Sequence, residues 1–166
     1  MLRVSLIGLA VLVTLVVIVT AIGFALPRDH VSSRDDTFAA PPERVFGTLV
    51  DVERYPAWRS GVTRIEIVTR APILLWREHG NDTITFELQE QQAPLRLVTR
   101  IADPSLPFGG TWTYVLAPAG TGTRLTITEH GEVYNPIFRF MSRYVFGHTA
   151  TIDAFLADLR RHLSAG

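Results

Sequence analysis

The chain contains neither cysteine nor lysine, and it has few features of a nucleic-acid-binding protein. Without cysteine the chain forms no disulfide that would indicate an oxidising compartment, so the protein could lie on either side of a membrane. Every basic side chain is arginine, which we attribute to codon usage. These arginines are scattered along a chain of zero net charge. No basic stripe is present, so nucleic acid is not an expected partner.

Motifs for metals, cofactors and covalent catalysis are also missing. No histidines, cysteines or carboxylates have the spacing of metal ligands, so we expect no metal. A nucleophile elbow, a phosphate loop and a dinucleotide fingerprint are all absent. Gly120 and Gly122 precede a β segment instead of a helix, so they indicate only a turn. We therefore expect no cofactor.

Apolar residues dominate the 23 positions from Val4 to Leu26, and none of these positions is charged. A helix of this length can cross a hydrocarbon core of roughly 30 Å. The alternative is a cleaved signal peptide, whose apolar region usually has about 7–15 residues before a small-x-small site. Ala21-Ile22-Gly23 is a poor site of that kind, and the apolar run is too long. We expect an uncleaved anchor in residues 1–28 and a soluble domain in residues 29–166.

Basic residues flank the two ends of the apolar segment in nearly equal number. Arg3 lies on one side, and Arg28 and His30 lie on the other. The positive-inside rule therefore gives only a small preference, for a single-pass protein with its soluble domain outside the cytoplasm. The reverse orientation stays open.

Segment 135–163 has the strongest periodicity in the chain. Its apolar residues are three and four positions apart, which puts them on one side of a helix. Asn135-Pro136 is a good start, because Asn can accept a bond from a free N–H and Pro loses none at the first position. A continuous helix would be roughly 40 Å long, and only the preceding β segments offer it a broad partner. The stripe consists of Phe138, Met141, Val145, Ile152, Phe155, Leu156, Leu159 and Leu163.

The middle of the chain predicts a sheet of about seven strands. One strand comes first, two short helices begin at Pro42 and near Asp51, and six further strands follow in a meander up to Val133. Residues 103–110, which end in Gly109-Gly110, are expected to form a loop. Antiparallel strands with helices on one face make an α+β fold.

Two motifs add a family resemblance. Residues 39–46 read Ala-Ala-Pro-Pro-Glu-Arg-Val-Phe, and residues 51–58 read Asp-Val-Glu-Arg-Tyr-Pro-Ala-Trp. With the closing strand at 122–129 and the terminal helix, they resemble START-like helix-grip proteins of the SRPBCC superfamily, which includes the polyketide cyclase/dehydrase group. The resemblance extends from about Asp29 onward and implies an antiparallel sheet wrapped around a long C-terminal helix, with a cavity between them. Members bind lipids, sterols, hormones or polyketides, and only some are enzymes.

Two ionisable residues are candidates for acid/base chemistry. Glu129 shares the strand face of Leu125 and Ile127, which puts its carboxyl in the cavity unless the strand twists outward and leaves it solvated or paired with arginine. His148 lies within the apolar stripe, where it could bond a ligand or be a core histidine satisfied by a neighbour.

Large rings with polar tips suit an apolar cavity, although plain core packing is the alternative for each of them. Phe86 and Phe138 favour core packing. Tyr55 and Trp58 also fit the corner of the two short helices. Arg100 faces solvent if Leu97, Thr99 and Ile101 point inward. It enters the cavity if Val98 points inward, and the pattern alone leaves this open. The residues predicted to bind a ligand are Trp58, Trp76, Phe86, Trp112, Tyr114, Met141, Tyr144 and His148.

Three functions are compatible with these observations. The first is a membrane-anchored domain that binds a hydrophobic small molecule, such as a lipid or polyketide, between sheet and helix. The second is a cyclase or dehydratase that uses Glu129 or His148 as acid/base. The third is an interaction module with a filled interior. An enclosed cavity with converging polar groups would favour the enzyme, and one lined by rings alone would favour binding.

Overall fold

The computed structural model describes residues 2–147 and 149–165, including every side chain there except those of residues 2–5 and 146. Helix α1 spans Leu2–Ala25. Its stretch Leu6–Ala25 has a mean hydropathy of 2.8 and is almost entirely exposed, so by length and composition it could cross a membrane. The chain then enters strand β1, Asp29–Phe38.

The two short helices after β1 lie where the sequence predicts them. Helix α2 spans Pro42–Val50 and buries Val45, Phe46 and Leu49 on one face. A 3₁₀ helix, Val52–Ala57, follows directly. The two are tied together because the Tyr55 hydroxyl donates to the Leu49 carbonyl oxygen at 2.7 Å.

The seven strands form one antiparallel sheet in the order β1-β7-β6-β5-β4-β3-β2. Neighbours in sequence are neighbours in space from β2 to β7, and β1 joins the far edge by pairing with β7. The predicted α+β helix-grip fold is therefore confirmed. The strands after β1 are β2 Val62–Thr69, β3 Leu75–Gly80, β4 Thr83–Gln92, β5 Arg96–Ile101, β6 Phe108–Ala119 and β7 Gly122–Val133.

The prediction of a loop at Gly109-Gly110 is wrong, because both glycines belong to β6. Gly110 pairs with Gly131 of β7 and has a φ of +130°, in a region that favours glycine. A side chain there would overlap the carbonyl oxygen of His130. Glycine in this strand serves close backbone approach and not a turn.

The prediction of one continuous C-terminal helix is also wrong. The segment consists of helix α3 (Pro136–Met141), a π-helical turn (Ser142–Phe146) and helix α4 (Ala150–Ser164). The Asn135 side chain caps α3 as expected, accepting bonds from two backbone N–H groups. Gly147, with a φ of +74°, then takes the chain out of helical geometry. The apolar spacing hid this break because the stripe continues in phase on both sides of it.

Helix α4 is the one that the sheet grips. Its buried residues Ile152, Phe155 and Leu159 join the inner face of the sheet in a single core. The Phe155 ring centroid lies 5.8 Å from both the Trp112 and the Tyr114 rings. Beyond this contact, the space left between the sheet and the helical segments forms a cavity.

Candidate functional site

A cavity of about 480 Å³ lies between the inner face of the sheet and the C-terminal helical segments. Every strand contributes to it. Its exposed lining residues belong to the β3–β4 turn and adjacent Gly61 on one side, and to α3 and the residues around Gly147 on the other, so the opening lies between these two. The principal side chains of the lining are Tyr55, Arg59, Trp76, Glu78, Ile84, Phe86, Thr99, Trp112, Tyr114, Glu129 and Phe138.

Four of the predicted ligand-binding residues form the aromatic wall of this cavity. Trp76 on β3 stacks on Phe86 on β4, with ring centroids 5.6 Å apart. Trp112 and Tyr114 lie two residues apart on β6, and their centroids are 6.1 Å apart. Period two along each strand turns these rings to the same face of the sheet.

Phe138, which was expected to pack in the core, is half exposed at the rim of the cavity. The residue lies on α3, which the sheet does not cover.

The most polar part of the cavity is an ion pair that the sequence reasoning missed. The Arg59 guanidinium donates to both carboxylate oxygens of Glu78, at 2.8 and 2.7 Å. The Trp76 indole N–H donates to the same carboxylate at 3.1 Å. Arg59 also lies 4.9 Å from the Tyr55 ring centroid and 5.1 Å from that of Phe155, within range of a cation–π interaction.

A signal for Glu78 was present in the sequence. Trp76 and Glu78 are two residues apart on one strand, so an inward Trp76 implies an inward Glu78. Arg59 had no comparable signal. It follows the 3₁₀ helix, and only the tertiary fold brings it over Glu78.

Glu129 faces the cavity from β7, which is the first of the two orientations that the pattern allowed. Burial raises the pKa of its carboxyl, and a hydrogen bond from the Trp112 side chain offsets part of the rise. Glu129 and Trp112 are direct partners across the β6–β7 ladder, which explains this contact. A carboxyl of this kind exchanges a proton at a higher pH than a solvated one does.

The two tyrosines of the cavity are held in their neutral form. Burial is the main cause that raises the pKa of both Tyr55 and Tyr114. The positive charge of Arg59 and a hydrogen bond with the Thr99 side chain offset only part of the rise for Tyr114. These hydroxyls can therefore donate and accept hydrogen bonds but do not act as phenolate bases.

Three predicted ligand-binding residues do not line the cavity. Trp58 is in the core, where its ring packs edge-on against Tyr55 and Phe155. Tyr144 is mostly exposed on the π-helical turn, and Met141 precedes it. These two were placed by the assumption of one continuous helix on the sheet. His148 lies outside the described residues.

Arg100 is exposed, and its two neighbours, Thr99 and Ile101, line the cavity instead. The structure thus decides between the two orientations that the alternation left open.

Solved structures of low sequence identity share this fold. The protein TTHA0849 from Thermus thermophilus has 23% identity and a TM-score of 0.68, with 82% of this chain and 98% of that chain covered. A START superfamily protein from Mycobacterium smegmatis has 16% identity and a TM-score of 0.67, with coverages of 82% and 98%. The Zhui aromatase/cyclase of a Streptomyces species has 14% identity and a TM-score of 0.65, with coverages of 82% and 94%.

These similarities establish the fold alone, since identity is low in each case. No curated protein shows a significant sequence match. A family model described as "Polyketide cyclase / dehydrase and lipid transport" matches residues 30–164, which is the whole domain after α1. The sequence motifs, the sheet that grips α4 and the cavity agree with this match. The chain belongs to the Polyketide cyclase / dehydrase and lipid transport family.

Proposed function

We propose that this protein is a membrane-anchored domain that binds a hydrophobic small molecule in the cavity between the sheet and the C-terminal helices. The observation that carries the proposal is the cavity of about 480 Å³, whose wall is built from aromatic rings. Small-molecule sites in proteins are commonly mostly apolar hollows of about 300–1,000 Å³ with a few polar groups that orient the ligand. Family membership supports a lipid or a polyketide as the ligand class.

Polar groups of the cavity favour a ligand that also carries a hydroxyl or carbonyl. Arg59 and Glu78 satisfy one another, so they need no charged ligand. Tyr114 and Trp112 present hydrogen-bonding groups beside Glu129. A mostly apolar molecule with one or two oxygens would match both the rings and these groups.

An uncleaved α1 is part of the proposal, and one contact supports it. The buried side chain of Arg139 donates to the carbonyl oxygens of Gly23 and Leu26, at 3.1 and 3.2 Å. A signal peptidase cut after Ala21-Ile22-Gly23 would remove one of these acceptors. A buried guanidinium that loses an acceptor is costly, so the fold favours retention of the helix.

A cyclase or dehydratase reaction is the second candidate, and Glu129 is the observation that favours it. Its carboxyl faces the cavity and has a raised pKa because of burial. Proton transfer to or from a bound polyketide would need such a group within reach of the reacting atom.

A cavity-filling variant tests the proposed binding. Ile84 lines the cavity on β4, and Val115 is exposed on the outer face of β6. We expect Ile84→Trp to abolish binding of the ligand that co-purifies with the full-length protein, because the larger ring occupies the ligand's space. Val115→Trp adds the same ring outside the cavity and should retain the ligand. The measurement is native mass spectrometry of full-length protein released from detergent micelles. Equal ligand occupancy in both variants would contradict the proposal.

A further inference from the structure

Arg139 joins α1 to the domain at the point where the helix ends. The residue is only 6% exposed, although it carries a charge. Its guanidinium donates to the carbonyl oxygens of Gly23 and Leu26 at the end of α1. It also donates to the carbonyl oxygens of Val133 and Tyr134, at 2.9 Å each. The last carbonyls of a helix lack partners within the helix, and a guanidinium presents several donors in a fixed fork. Arg139 thus provides hydrogen-bond donors to carbonyl groups of α1 and of the domain at the same time.

A close backbone contact reinforces the same junction. A Cβ atom at Gly23 would overlap the carbonyl oxygen of Pro136, so only glycine lets α1 and α3 approach this closely. Gly23 itself is buried, in contrast to the rest of the apolar stretch of α1. The first turn of α3 is therefore fixed against the last turn of α1.

The surface beside this junction is apolar and uncovered by the domain. Ile137, Phe138, Tyr144 and Val145 are 40%, 49%, 61% and 57% exposed. We call these four residues the α3 patch. Contiguous exposed apolar patches commonly mark sites that contact another protein or a membrane. Aromatic rings with polar tips, such as that of Tyr144, are typical of the membrane–water interface.

The occupant of the α3 patch follows from its position. Phe138 is adjacent in sequence to Arg139, which binds the end of the span Leu6–Ala25. A helix that crosses a bilayer leaves the hydrocarbon at its last turn, so residues fixed to that turn lie at the depth of the interface. Exposed Arg143, between the two halves of the patch, can reach lipid headgroups.

Phe138 connects the patch to the cavity. It is half exposed and also lines the cavity, together with Ser142 and Gly147 of the same region. The opposite rim is the β3–β4 turn, where exposed Asn81 and Asp82 are polar. One side of the opening is thus apolar and next to α1, and the other is polar.

We propose that the α3 patch lies in the surface of the bilayer that α1 crosses, and that it sets the mouth of the cavity against the lipid. A hydrophobic ligand would then enter from the membrane without crossing water. This inference rests on the proposed anchor and ligand, and it adds a second membrane contact and a route of entry.

Single cysteines can test this geometry, because the chain has none of its own. Full-length protein would carry a bimane label at Val145→Cys and be reconstituted in phosphatidylcholine vesicles that contain a lipid with a headgroup-proximal nitroxide. The matched control is Val115→Cys, an exposed valine on the outer face of β6. We expect the lipid nitroxide to quench the Val145 label severalfold more than the Val115 label. Aqueous iodide should show the reverse order.

A third label separates failure of this inference from failure of the anchor. Val13 is exposed in the middle of α1, so Val13→Cys reports whether the helix is in the bilayer, using a nitroxide placed deep in the acyl chain. If Val13 is quenched and Val145 behaves like Val115, the inference is wrong and the anchor stands. If Val13 is not quenched, both are wrong. A Val145 label shielded from lipid and water alike would indicate a protein partner and would overturn the inference.

Discussion

Helices α3 and α4 come from one apolar pattern in the sequence, yet they pack against different parts of the molecule. The apolar face of α4 is buried against the sheet, where Ile152 and Leu159 are fully enclosed. The apolar residues of α3 and the π-helical turn are largely exposed, and α3 is held to the end of α1 through Arg139 and the Pro136 backbone. Periodicity reports which side of a helix is apolar. It does not report what covers that side, because soluble core, membrane interface and partner surface all favour the same residue types.

The largest expected difference between the two regions is in stability. We expect Leu159→Ala on α4 to lower the free energy of unfolding by about 3 kcal/mol, because it leaves a cavity in the core. Val145→Ala on the exposed side should change it by less than about 0.5 kcal/mol. Denaturant titration of the full-length protein in detergent micelles measures both. Comparable losses would mean that the α3 region is part of the core after all.

The contact between α1 and α3 should contribute a smaller amount. Arg139→Met leaves several buried carbonyls without a donor, so we expect a loss of about 2 kcal/mol. Arg139→Lys should recover only part of this loss, because an ammonium group cannot reproduce the planar fork. Exposed Arg143→Met, four residues along, is the control and should be close to neutral. The same denaturant titration applies, and full recovery by lysine would exclude a role for the fork.

The cavity between the two regions should respond to pH through Glu129. Burial raises the pKa of this carboxyl, so the folded state disfavours its ionised form. The contribution of Glu129 to stability is then greatest below the usual pKa of a carboxyl, and it is lost as the pH rises through the raised value. We expect Glu129→Gln to stabilise the protein by about 1 kcal/mol at neutral pH.

That gain should disappear in acid, where glutamate is protonated in both the folded and the unfolded state. Unfolding measured across the acid range checks this, and a gain that does not depend on pH would contradict it. The same variant separates the two candidate functions. It should retain a bound ligand if the protein only binds, and it should lose turnover if Glu129 is catalytic.

Most of the fold was accessible from local patterns. Strand alternation and turn residues predicted the meander, and the two motifs around Pro42 and Tyr55 predicted the helix-grip fold that was found. Period two also predicted that Phe86 shares a face with Ile84 on one strand and that Trp112 shares a face with Tyr114 on another, because a pleated strand turns alternate side chains the same way. The break at Gly147 escaped because a single glycine in a periodic segment is compatible with an unbroken helix.

The sequence by itself determined the apolar helix at the start, the order of the strands and the inward faces of β4 and β6. These depend on short-range rules, namely residue spacing and backbone propensity. Only the tertiary structure decided that Arg59 meets Glu78, that Arg139 holds the end of α1, and that the C-terminal segment divides between the sheet and α1. Such contacts join residues far apart in the chain. Their existence depends on how packed elements meet in space, which no local pattern encodes.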